Sequence, residues 1–274
     1  MIKLQIKSSC IQIPEALENR VRENLFSLII ESSNKEEPDY SIYNNDGIIS
    51  ILKKSDIIFS SININEAIYN LEWNIVDDLI SKNGHFLQIH SAALTYDDNA
   101  YLFIGNPGTG KTSTSILLSK NGFNVLSDEV GLLDLDNLEL NTFPRNYIIK
   151  QHLFSDIDIR QNQLKLMIDS DDDGKEPAYF LPINYFNKNN NLSSKKLKKI
   201  FFLQNSVEHN LQLDKIGNHE SFNQIMPQIF NIEKFNQKKI IDLIKTIPCY
   251  KLKLSKPLLF DEILTQKLIN EITK

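Results

Sequence analysis

An eight-residue motif in the first half of the chain constrains its fold more than any other feature. Residues 105–112 read Gly-Asn-Pro-Gly-Thr-Gly-Lys-Thr, which matches G-x-x-x-x-G-K-T at every fixed position. An apolar, strand-like stretch precedes the motif and a helical pattern follows it, which is the setting that the motif requires. An ordinary glycine-rich turn is the alternative, and the complete match argues against it. This glycine-rich loop (residues 105–112) therefore predicts an α/β fold built around a strand–loop–helix unit.

The same residues predict a nucleotide site. Glycines let backbone N–H groups turn inward on a phosphate, and the positive end of the following helix adds to the attraction. Lys111 is expected to reach the β- and γ-phosphates, and Thr112 to offer its hydroxyl to Mg²⁺. We therefore expect ATP, or another nucleoside triphosphate, together with Mg²⁺. The residues expected to bind it are Gly105, Asn106, Pro107, Gly108, Thr109, Gly110, Lys111, Thr112 and Ser113.

The charge balance argues against a nucleic-acid partner. The 274 residues carry a net charge of −5 with a pI near 5.6, whereas nucleic-acid binders concentrate an excess of Lys and Arg on one face. One basic run occurs, and it precedes an apolar stretch, which favours a solvated strand entry over a binding site. The run is Lys195, Lys196, Lys198 and Lys199.

The remaining composition predicts a soluble cytoplasmic protein. Cys10 and Cys249 lie far apart and lack metal-ligand spacing, so neither a disulfide framework nor a zinc site is indicated. Residues 1–7 alternate polar and apolar side chains, unlike the continuous apolar core of a signal peptide. No stretch approaches the ~20 apolar residues of a membrane span, so we expect no membrane partner.

The hydrophobic pattern divides the chain into two predicted domains. Residues 1–84 form a small α+β module, with a helix over 14–30, a hairpin over 40–52 and a second helix that ends at Asn83-Gly84. Residues 85–274 form the catalytic domain around a mixed sheet. There, a hairpin over 86–104 feeds the glycine-rich loop, and the strand after the loop's helix continues in antiparallel fashion.

Two carboxylates follow the glycine-rich loop at a short distance. Asp128 and Glu129 come 17 and 18 positions after Lys111, which leaves room for one short helix and one strand. They therefore lie at the carboxyl end of a strand, where α/β sheets place their ligand chemistry. Either of them could hold Mg²⁺ or accept a proton from an attacking hydroxyl. The alternative is a polar strand exit with two solvated carboxylates.

Two further side chains are candidates on weaker grounds. His90 stands at the end of the strand stretch that precedes the hairpin, and a His near phosphate and carboxylate can donate to a phosphoryl oxygen or orient a base. A structural histidine is the alternative. Arg145 follows Pro144, and its planar fork suits a phosphate or a substrate anchor. A surface arginine is equally compatible with this position.

Taken together, four sequence segments resemble the kinase domain of bacterial HPr kinase/phosphorylase and its relatives, whose fold is similar to the P-loop region of phosphoenolpyruvate carboxykinase. The segments are Ile89-His90-Ser91-Ala92-Ala93-Leu94, the glycine-rich loop, Leu126-Ser127-Asp128-Glu129 and Phe143-Pro144-Arg145. The resemblance covers residues 86–150 well. It is looser around residues 179–182 and 248–252.

The resemblance implies roles for particular residues. Asp128 matches the catalytic acidic residue that takes the proton of the acceptor serine, and His90 matches the histidine that supports it. Lys111 and Thr112 match the phosphate and Mg²⁺ contacts. Glu129 replaces the second Asp of the usual pair, which moves that carboxylate outward by one methylene and weakens its assignment to the metal.

The resemblance implies an ATP-dependent kinase that phosphorylates a hydroxyl. Only about 85 residues precede the hairpin, which looks more like the HPr-kinase-like tailoring kinases that phosphorylate a Ser of a precursor peptide. A serine in a peptide or small protein is therefore the expected acceptor, and homo-oligomerisation stays open. The alternatives are a P-loop ATPase or remodelling protein, a small-molecule kinase, and a nucleotide-binding pseudoenzyme. The loop also resembles that of AAA-type motors, but their acidic strand normally lies much farther from it.

A polar, acidic stretch interrupts the second half of the chain. Residues 169–173 read Asp-Ser-Asp-Asp-Asp. Such a run is usually a solvated loop, which we prefer to a metal site. A mobile lid over the reaction site is the functional alternative, because P-loop enzymes often exclude water with such a segment.

Overall fold

A computed structural model describes most of the chain. The described residues are 1–6, 9–25, 28–32, 37–154, 165–168, 177–189, 191–206, 211–255 and 261–274. The acidic run at 169–173 lies outside them. Within the described part, the chain is a mixed α/β protein with three sheets, and it divides into two compact units.

The first unit contains the described residues of 1–82, 145–154 and 165–182. Its larger sheet has six strands in the order β3-β1-β2-β4-β5-β6. These strands are β1 Ile2–Ile6, β2 Ser9–Ile13, β3 Ile29–Ser32, β4 Tyr40–Asn45, β5 Ile48–Lys53 and β6 Asp56–Ser61. The helices are α1 Glu18–Leu25, entered through a 3₁₀ turn at Glu15–Leu17, and α2 Ile64–Lys82.

The hairpin expected over residues 40–52 is present as β4 and β5. Its turn residues Asp46 and Gly47 both have positive φ, 50° and 86°, which is the geometry that a two-residue hairpin turn requires. The helix expected over 14–30 is shorter, since α1 ends at Leu25 and Ile29 starts β3 beside β1. Apolar residues at 28–30 suit either structure, and strand pairing decides between them.

A small sheet from later in the sequence also belongs to the first unit. Its strands are β12 Tyr147–Lys150, β13 Lys165–Ile168 and β14 Ala178–Leu181, in the order β12-β14-β13. β13 packs on α2, and Tyr69 of α2 packs against Phe180 of β14. The described residues of 145–182 group with the first unit, and the two domains expected at 1–84 and 85–274 stay a prediction. Burial of the apolar side chains of the small sheet against α2 is the physical reason for this grouping.

The second unit contains the described residues of 83–144 and 183–274 and is built on an eight-stranded mixed sheet. Its path is β11-β10-β7-β8-β15-β17-β16, with β9 also paired to β7, and β11 also paired to β15. The strands are β7 Leu87–Tyr96, β8 Asn99–Ile104, β9 Asn124–Ser127, β10 Val130–Asp134, β11 Glu139–Asn141, β15 Lys195–Asn205, β16 Gln212–Lys215 and β17 Cys249–Leu254.

Among the described residues, four α-helices accompany this sheet. They are α3 Lys111–Lys120, α4 Asn218–Ile225, α5 Gln237–Thr246 and α6 Glu262–Thr273. The sequence pattern of residues 219–230 predicts a single helix, but α4 ends at Ile225 and a 3₁₀ turn, Met226–Gln228, follows it. Pro227 explains the stop: proline lacks the N–H that an α-helix needs and restricts the residue before it. No helix in the described residues combines the length and apolar character that a bilayer crossing requires.

Strand β8 lies at the centre of the second unit. Ala100 to Ile104 are all buried, and β8 pairs antiparallel with β7 on one side and parallel with β15 on the other. One face of the sheet packs an aliphatic core around Leu102 and Ile104, and the other carries the stacked rings of Phe103 and Phe201 at 5.0 Å between centroids. The hairpin expected over 86–104 is therefore confirmed, and it carries the chain into the glycine-rich loop.

Candidate functional site

The glycine-rich loop joins the carboxyl end of β8 to the first residue of α3. Gly108 and Gly110 have φ values of 82° and 93°, a region that other residues rarely adopt. Gly105 is needed for a different reason, because a Cβ there would collide with the Thr109 side chain and lie 3.3 Å from Leu203. The loop thus requires its three glycines, and the strand–loop–helix unit expected from the sequence is present.

Lys111 stands at the first position of α3 and turns back over the loop. Its Nζ donates to the carbonyl oxygen of Gly105 at 2.7 Å, and the residue is 8% exposed. Burial lowers the pKa of this ammonium, while the charges of Glu129 and Asp128 oppose that shift. The cation is therefore held against the backbone of the loop, with two carboxylates near enough to affect its pKa.

Asp128 follows β9 directly and reaches the start of α3. Thr112 Oγ1 donates to Asp128 Oδ2 at 2.8 Å, and this contact ties the first turn of α3 to the end of β9. The second carboxylate oxygen, Asp128 Oδ1, is buried and has no hydrogen-bond partner. The site thus contains one carboxylate oxygen that the folded chain leaves unsatisfied, which is rare for a buried polar atom.

Burial gives Asp128 an unusual proton affinity. The side chain is 6% exposed, and desolvation raises its pKa to about 7, assisted by the charge of Glu129. Hydrogen bonds from Thr112 and Ser115 and the charge of Lys111 work in the opposite direction. Burial is the largest of these influences, because a low-dielectric setting disfavours the ionised form. Asp128 is therefore a carboxyl group that gains and loses a proton near neutral pH.

Glu129 and His90 meet across neighbouring strands. His90 Nε2 lies 3.5 Å from Glu129 Oε1, and the Ser91 N–H donates to the Glu129 carbonyl at 3.2 Å. The contact follows from the sheet. β9 precedes the acidic pair in the chain and β10 follows it, and both strands pair antiparallel with β7, which carries His90. The contact seen for His90 is thus with Glu129, and its support of Asp128 stays a prediction.

Two residues that the motif analysis did not single out, Ser127 and Gly131, hold the segment that contains Asp128 and Glu129. Ser127 Oγ accepts hydrogen bonds from the N–H groups of Glu129 and Val130, at 3.3 and 3.0 Å, and so shapes the turn. Gly131 packs so closely on Ser91 and Leu102 that a Cβ would overlap both side chains. A serine before an Asp-Glu pair is a turn signal in the sequence, whereas the close approach at Gly131 depends on strand pairing.

Side chains from distant parts of the second unit hold the glycine-rich loop. Asn205, the last residue of β15, donates through Nδ2 to the Gly108 carbonyl at 3.3 Å. Gln228 donates through Nε2 to Asn106 Oδ1 at 3.0 Å. Phe230, two residues on, lies beside His90, with ring centroids 5.8 Å apart. Sequence reasoning missed all three, since no motif connects residues about 100 positions apart.

Arg145 belongs to the first unit and has a carboxylate partner there. Its Nε and Nη2 donate to the two carboxylate oxygens of Glu72 at 2.5 and 2.8 Å, and both residues are almost fully buried. The guanidinium also lies 5.8 Å from the ring of Trp73. The fork that we considered for a phosphate or substrate is thus engaged by Glu72, and the anchoring role stays a prediction.

The oxygen atoms around Thr112 fit a hard cation such as Mg²⁺. The Thr112 hydroxyl donates a hydrogen bond to Asp128 and keeps its lone pairs available, and Asp128 Oδ1 has an unused acceptor site. Among the described residues no group of three or more His, Cys, Asp or Glu side chains is placed to hold a metal. Mg²⁺ commonly binds through one or two protein oxygens, with water and phosphate completing its shell. The donor set is therefore compatible with Mg²⁺ that arrives with a phosphate ligand.

Comparisons with known proteins add little to this geometry. No protein-family model matches the chain, and no curated protein sequence matches it. Among solved structures, the Hpr(Ser) kinase/phosphatase from Coxiella burnetii is similar with a TM-score of 0.34 and 14% sequence identity. The match covers 68% of this chain and 99% of that chain. At this TM-score the likeness carries no argument about fold or function.

Proposed function

We propose that this chain is an ATP-dependent phosphotransferase that transfers the γ-phosphoryl group to a hydroxyl, with a serine of a peptide or small protein as the acceptor. One observation carries the proposal: a buried carboxyl group with a pKa near 7, Asp128, is hydrogen-bonded to the threonine of a complete G-x-x-x-x-G-K-T loop. A general base works best when its pKa lies close to the working pH. A loop that only binds a nucleotide needs no such group.

The reaction that this arrangement supports is an in-line displacement. The acceptor oxygen attacks the γ-phosphorus, the bond from phosphorus to the β–γ bridging oxygen breaks, and ADP leaves. The hydroxyl proton passes to Asp128. In phosphoryl transfer the protein contributes mainly positioning and electrostatic stabilisation, so the remaining work falls to the loop amides and Lys111.

Lys111 and Thr112 have defined tasks in this proposal. The Lys111 ammonium sits over the loop and neutralises charge on the β- and γ-phosphates. Mg²⁺, bound with the nucleotide, supplies further charge neutralisation, and Thr112 with Glu129 would hold it. Glu129 has a side chain 46% exposed, so it can reach a cation that arrives from solution.

His90 acts through Glu129 in this scheme. The imidazole lies 3.5 Å from the Glu129 carboxylate and orients it beside Asp128. The order of these elements along the chain supports the proposal further, since a histidine precedes the loop and an acidic pair follows it, as in HPr-kinase-like proteins. The preference for a serine in a peptide rests on that resemblance.

Replacing Asp128 tests the proposal. The Asp128→Asn variant keeps the size and the hydrogen bond with Thr112 but cannot take a proton, so we expect Mg-ATP binding within about threefold of wild type and loss of transfer by at least ~100-fold, the usual contribution of a general base. Binding is measured by calorimetry and transfer with γ-labelled ATP and candidate acceptors.

Asp136→Asn is the matched control, because Asp136 is an exposed aspartate of the same unit, paired only at the surface with Lys239. It should transfer like wild type. Full transfer by Asp128→Asn would remove Asp128 as the base, and failure of wild type to bind any nucleoside triphosphate would remove the proposal itself.

A further inference from the structure

The peptide group between Gly108 and Thr109 is held at both of its polar ends. Its N–H belongs to Thr109 and donates to the Asn106 carbonyl at 3.1 Å, within the loop. Its carbonyl oxygen, on Gly108, accepts from Asn205 Nδ2 at 3.3 Å, from outside the loop. The orientation of this one peptide plane is therefore determined by two contacts, and one of them comes from β15.

Gly108 makes such an external contact necessary. Its φ of 82° lies where only glycine is comfortable, and no heavy atom lies within 4 Å of the place that a Cβ would occupy. Glycine at an open position can rotate its peptide planes at little cost. Without a partner for the Gly108 carbonyl, only the Thr109 N–H contact with Asn106 would hold this plane, and a rotation that breaks that contact could turn the oxygen toward the phosphate site.

The direction of this carbonyl decides whether the loop can accept an anion. Three further loop carbonyls have donors: Lys111 Nζ contacts the Gly105 oxygen, the Thr109 N–H contacts the Asn106 oxygen, and the Thr114 N–H contacts the Gly110 oxygen. The N–H groups at the start of α3 can receive a phosphate, since the first N–H groups of a helix have no partner within it. A carbonyl turned inward would repel that phosphate.

The sheet explains why Asn205 can reach the loop. β15 runs parallel to β8, with Phe202 opposite Ile104, so it continues past the end of β8 at the same edge of the sheet. Leu203 packs directly against Gly105. Two residues later, Asn205 is placed beside Gly108. Carboxyl ends of adjacent parallel strands are where α/β proteins bring ligand-binding residues together.

We infer that Asn205 is a positioning residue for nucleotide binding, which acts by fixing the Gly108–Thr109 peptide in the orientation that receives the phosphates. The inference rests on the proposed function, because it concerns the phosphate ligand of the same loop. Gln228, which contacts the Asn106 side chain, holds the neighbouring part of the loop.

Two replacements test whether the N–H donor of the Asn205 side chain, rather than the size of the side chain, supports nucleotide binding. Asn205→Ala removes the donor, and we expect its Kd for Mg-ATP to rise about 3- to 10-fold, the effect of one lost neutral hydrogen bond. Asn205→Asp keeps the shape but places an acceptor against the Gly108 carbonyl, so its Kd should rise more than that of Asn205→Ala. Asn205 is exposed, so both variants should melt within ~2 °C of wild type.

Asn223→Ala is the matched control, an exposed asparagine on α4 whose amide contacts His219. Its Kd should equal that of wild type. Amide NMR spectra of the ligand-free proteins supply a second readout: the Thr109 resonance should move in Asn205→Ala, while the resonances of Gly47 and Gly122, which also have positive φ, should not.

The outcomes distinguish the two proposals. If wild type binds Mg-ATP and Asn205→Ala binds it equally well with an unmoved Thr109 resonance, the inference about Asn205 is wrong and the proposed function stands. If wild type binds no nucleoside triphosphate, the proposed function fails and this inference fails with it. Weaker binding by both variants with an unchanged control supports the role given to Asn205.

Discussion

Asp128 shows how the fold changes the chemistry of a residue that the sequence already identifies. Its place after Lys111 marks it as a candidate metal ligand or base, and the sequence leaves both roles open. Burial beside Glu129 raises its pKa to about 7, and this depends on packing that no motif describes. The proton affinity, rather than the position, is what favours the role of base.

The raised pKa predicts a dependence of stability on pH. Near pH 4 and below, the carboxyl group is protonated in both states; between about 4 and 7, the folded protein keeps a proton that the unfolded chain has lost. The free energy of unfolding contributed by Asp128 therefore falls as pH rises through this window and is constant above it. Each pKa unit corresponds to about 1.4 kcal/mol, so the effect should reach several kcal/mol.

Urea unfolding of wild type and Asp128→Asn between pH 4 and pH 8 measures this effect. The asparagine cannot ionise, so the variant should gain stability relative to wild type as pH increases. A constant difference between the two proteins across that range would show that the Asp128 pKa is not raised.

The same group predicts the pH profile of activity. Asp128 must be ionised to take the acceptor proton, so the transfer rate should rise through about pH 7 and level off above it. The pH dependence of kcat/KM for Mg-ATP, with one acceptor, provides the measurement, because it reports the pKa values of the free enzyme. A kcat/KM that is already constant from pH 5 upward would contradict the assignment of Asp128 as the base.

At the scale of elements, the lysine run at the start of β15 has a structural task. Lys198 Nζ donates to the Thr273 carbonyl at 3.0 Å, and Lys199 Nζ donates to the carbonyls of Glu271 and Ile272 at 3.2 and 3.0 Å. These oxygens belong to the last turn of α6, where carbonyl groups lack helical partners and cations are favoured. The run was expected to be a solvated strand entry, but Lys199 is 7% exposed and caps a helix.

Removing the Lys199 ammonium should loosen α6. Lys199→Met keeps the apolar stem and loses both hydrogen bonds, and we expect a cost of about 1.5–3 kcal/mol, typical of hydrogen bonds from a charged group. Urea unfolding gives the free energy, and hydrogen exchange should show faster exchange in residues 262–273. Lys196→Met is the control, since Lys196 has a side chain 62% exposed and should cost about 1 kcal/mol or less.

Elements that depend on local signals could be predicted from the sequence, and those that depend on distant partners could not. The strand–loop–helix unit and the hairpin of β4 and β5 are encoded by adjacent residues, glycines above all. The start of β3 at Ile29 was not predictable, because this strand pairs with β1, more than 20 residues earlier in the chain. Pro227 is a local signal for the end of α4, but apolar residues continue at helical spacing beyond it and favour a longer helix.

At the scale of the whole chain, the order of residues does not follow the division into units. Residues 147–150, 165–168 and 178–181 form a separate three-stranded sheet within the first unit, although they lie between segments of the second. Strands that return to an earlier part of the chain leave no signature beyond their apolar side chains. The end of α2 at Lys82 carries a local signal, Asn83-Gly84, and could therefore be placed.

The residues of the candidate site also fall into two groups, those that the sequence could reveal and those that it could not. Residues of the loop and the acidic pair lie within 25 positions and could be recognised by spacing. Asn205 and Gln228 meet the loop from 97 and 122 positions away, through the pairing of β15 with β8 and the turn after α4. Their contribution follows from sheet topology, which a single sequence does not specify.

The fate of the γ-phosphoryl group distinguishes a kinase from an ATPase and from a protein that only binds the nucleotide. Wild type is incubated with Mg²⁺, γ-labelled ATP and peptides or small proteins that carry serines, and the label is followed into acid-stable phosphoester and into free phosphate. If the chain is a kinase with Asp128 as its base, label appears on an acceptor hydroxyl with wild type and is absent with Asp128→Asn. Release of free phosphate with no labelled acceptor, or nucleotide binding with no turnover across the acceptors, would contradict the proposed kinase activity.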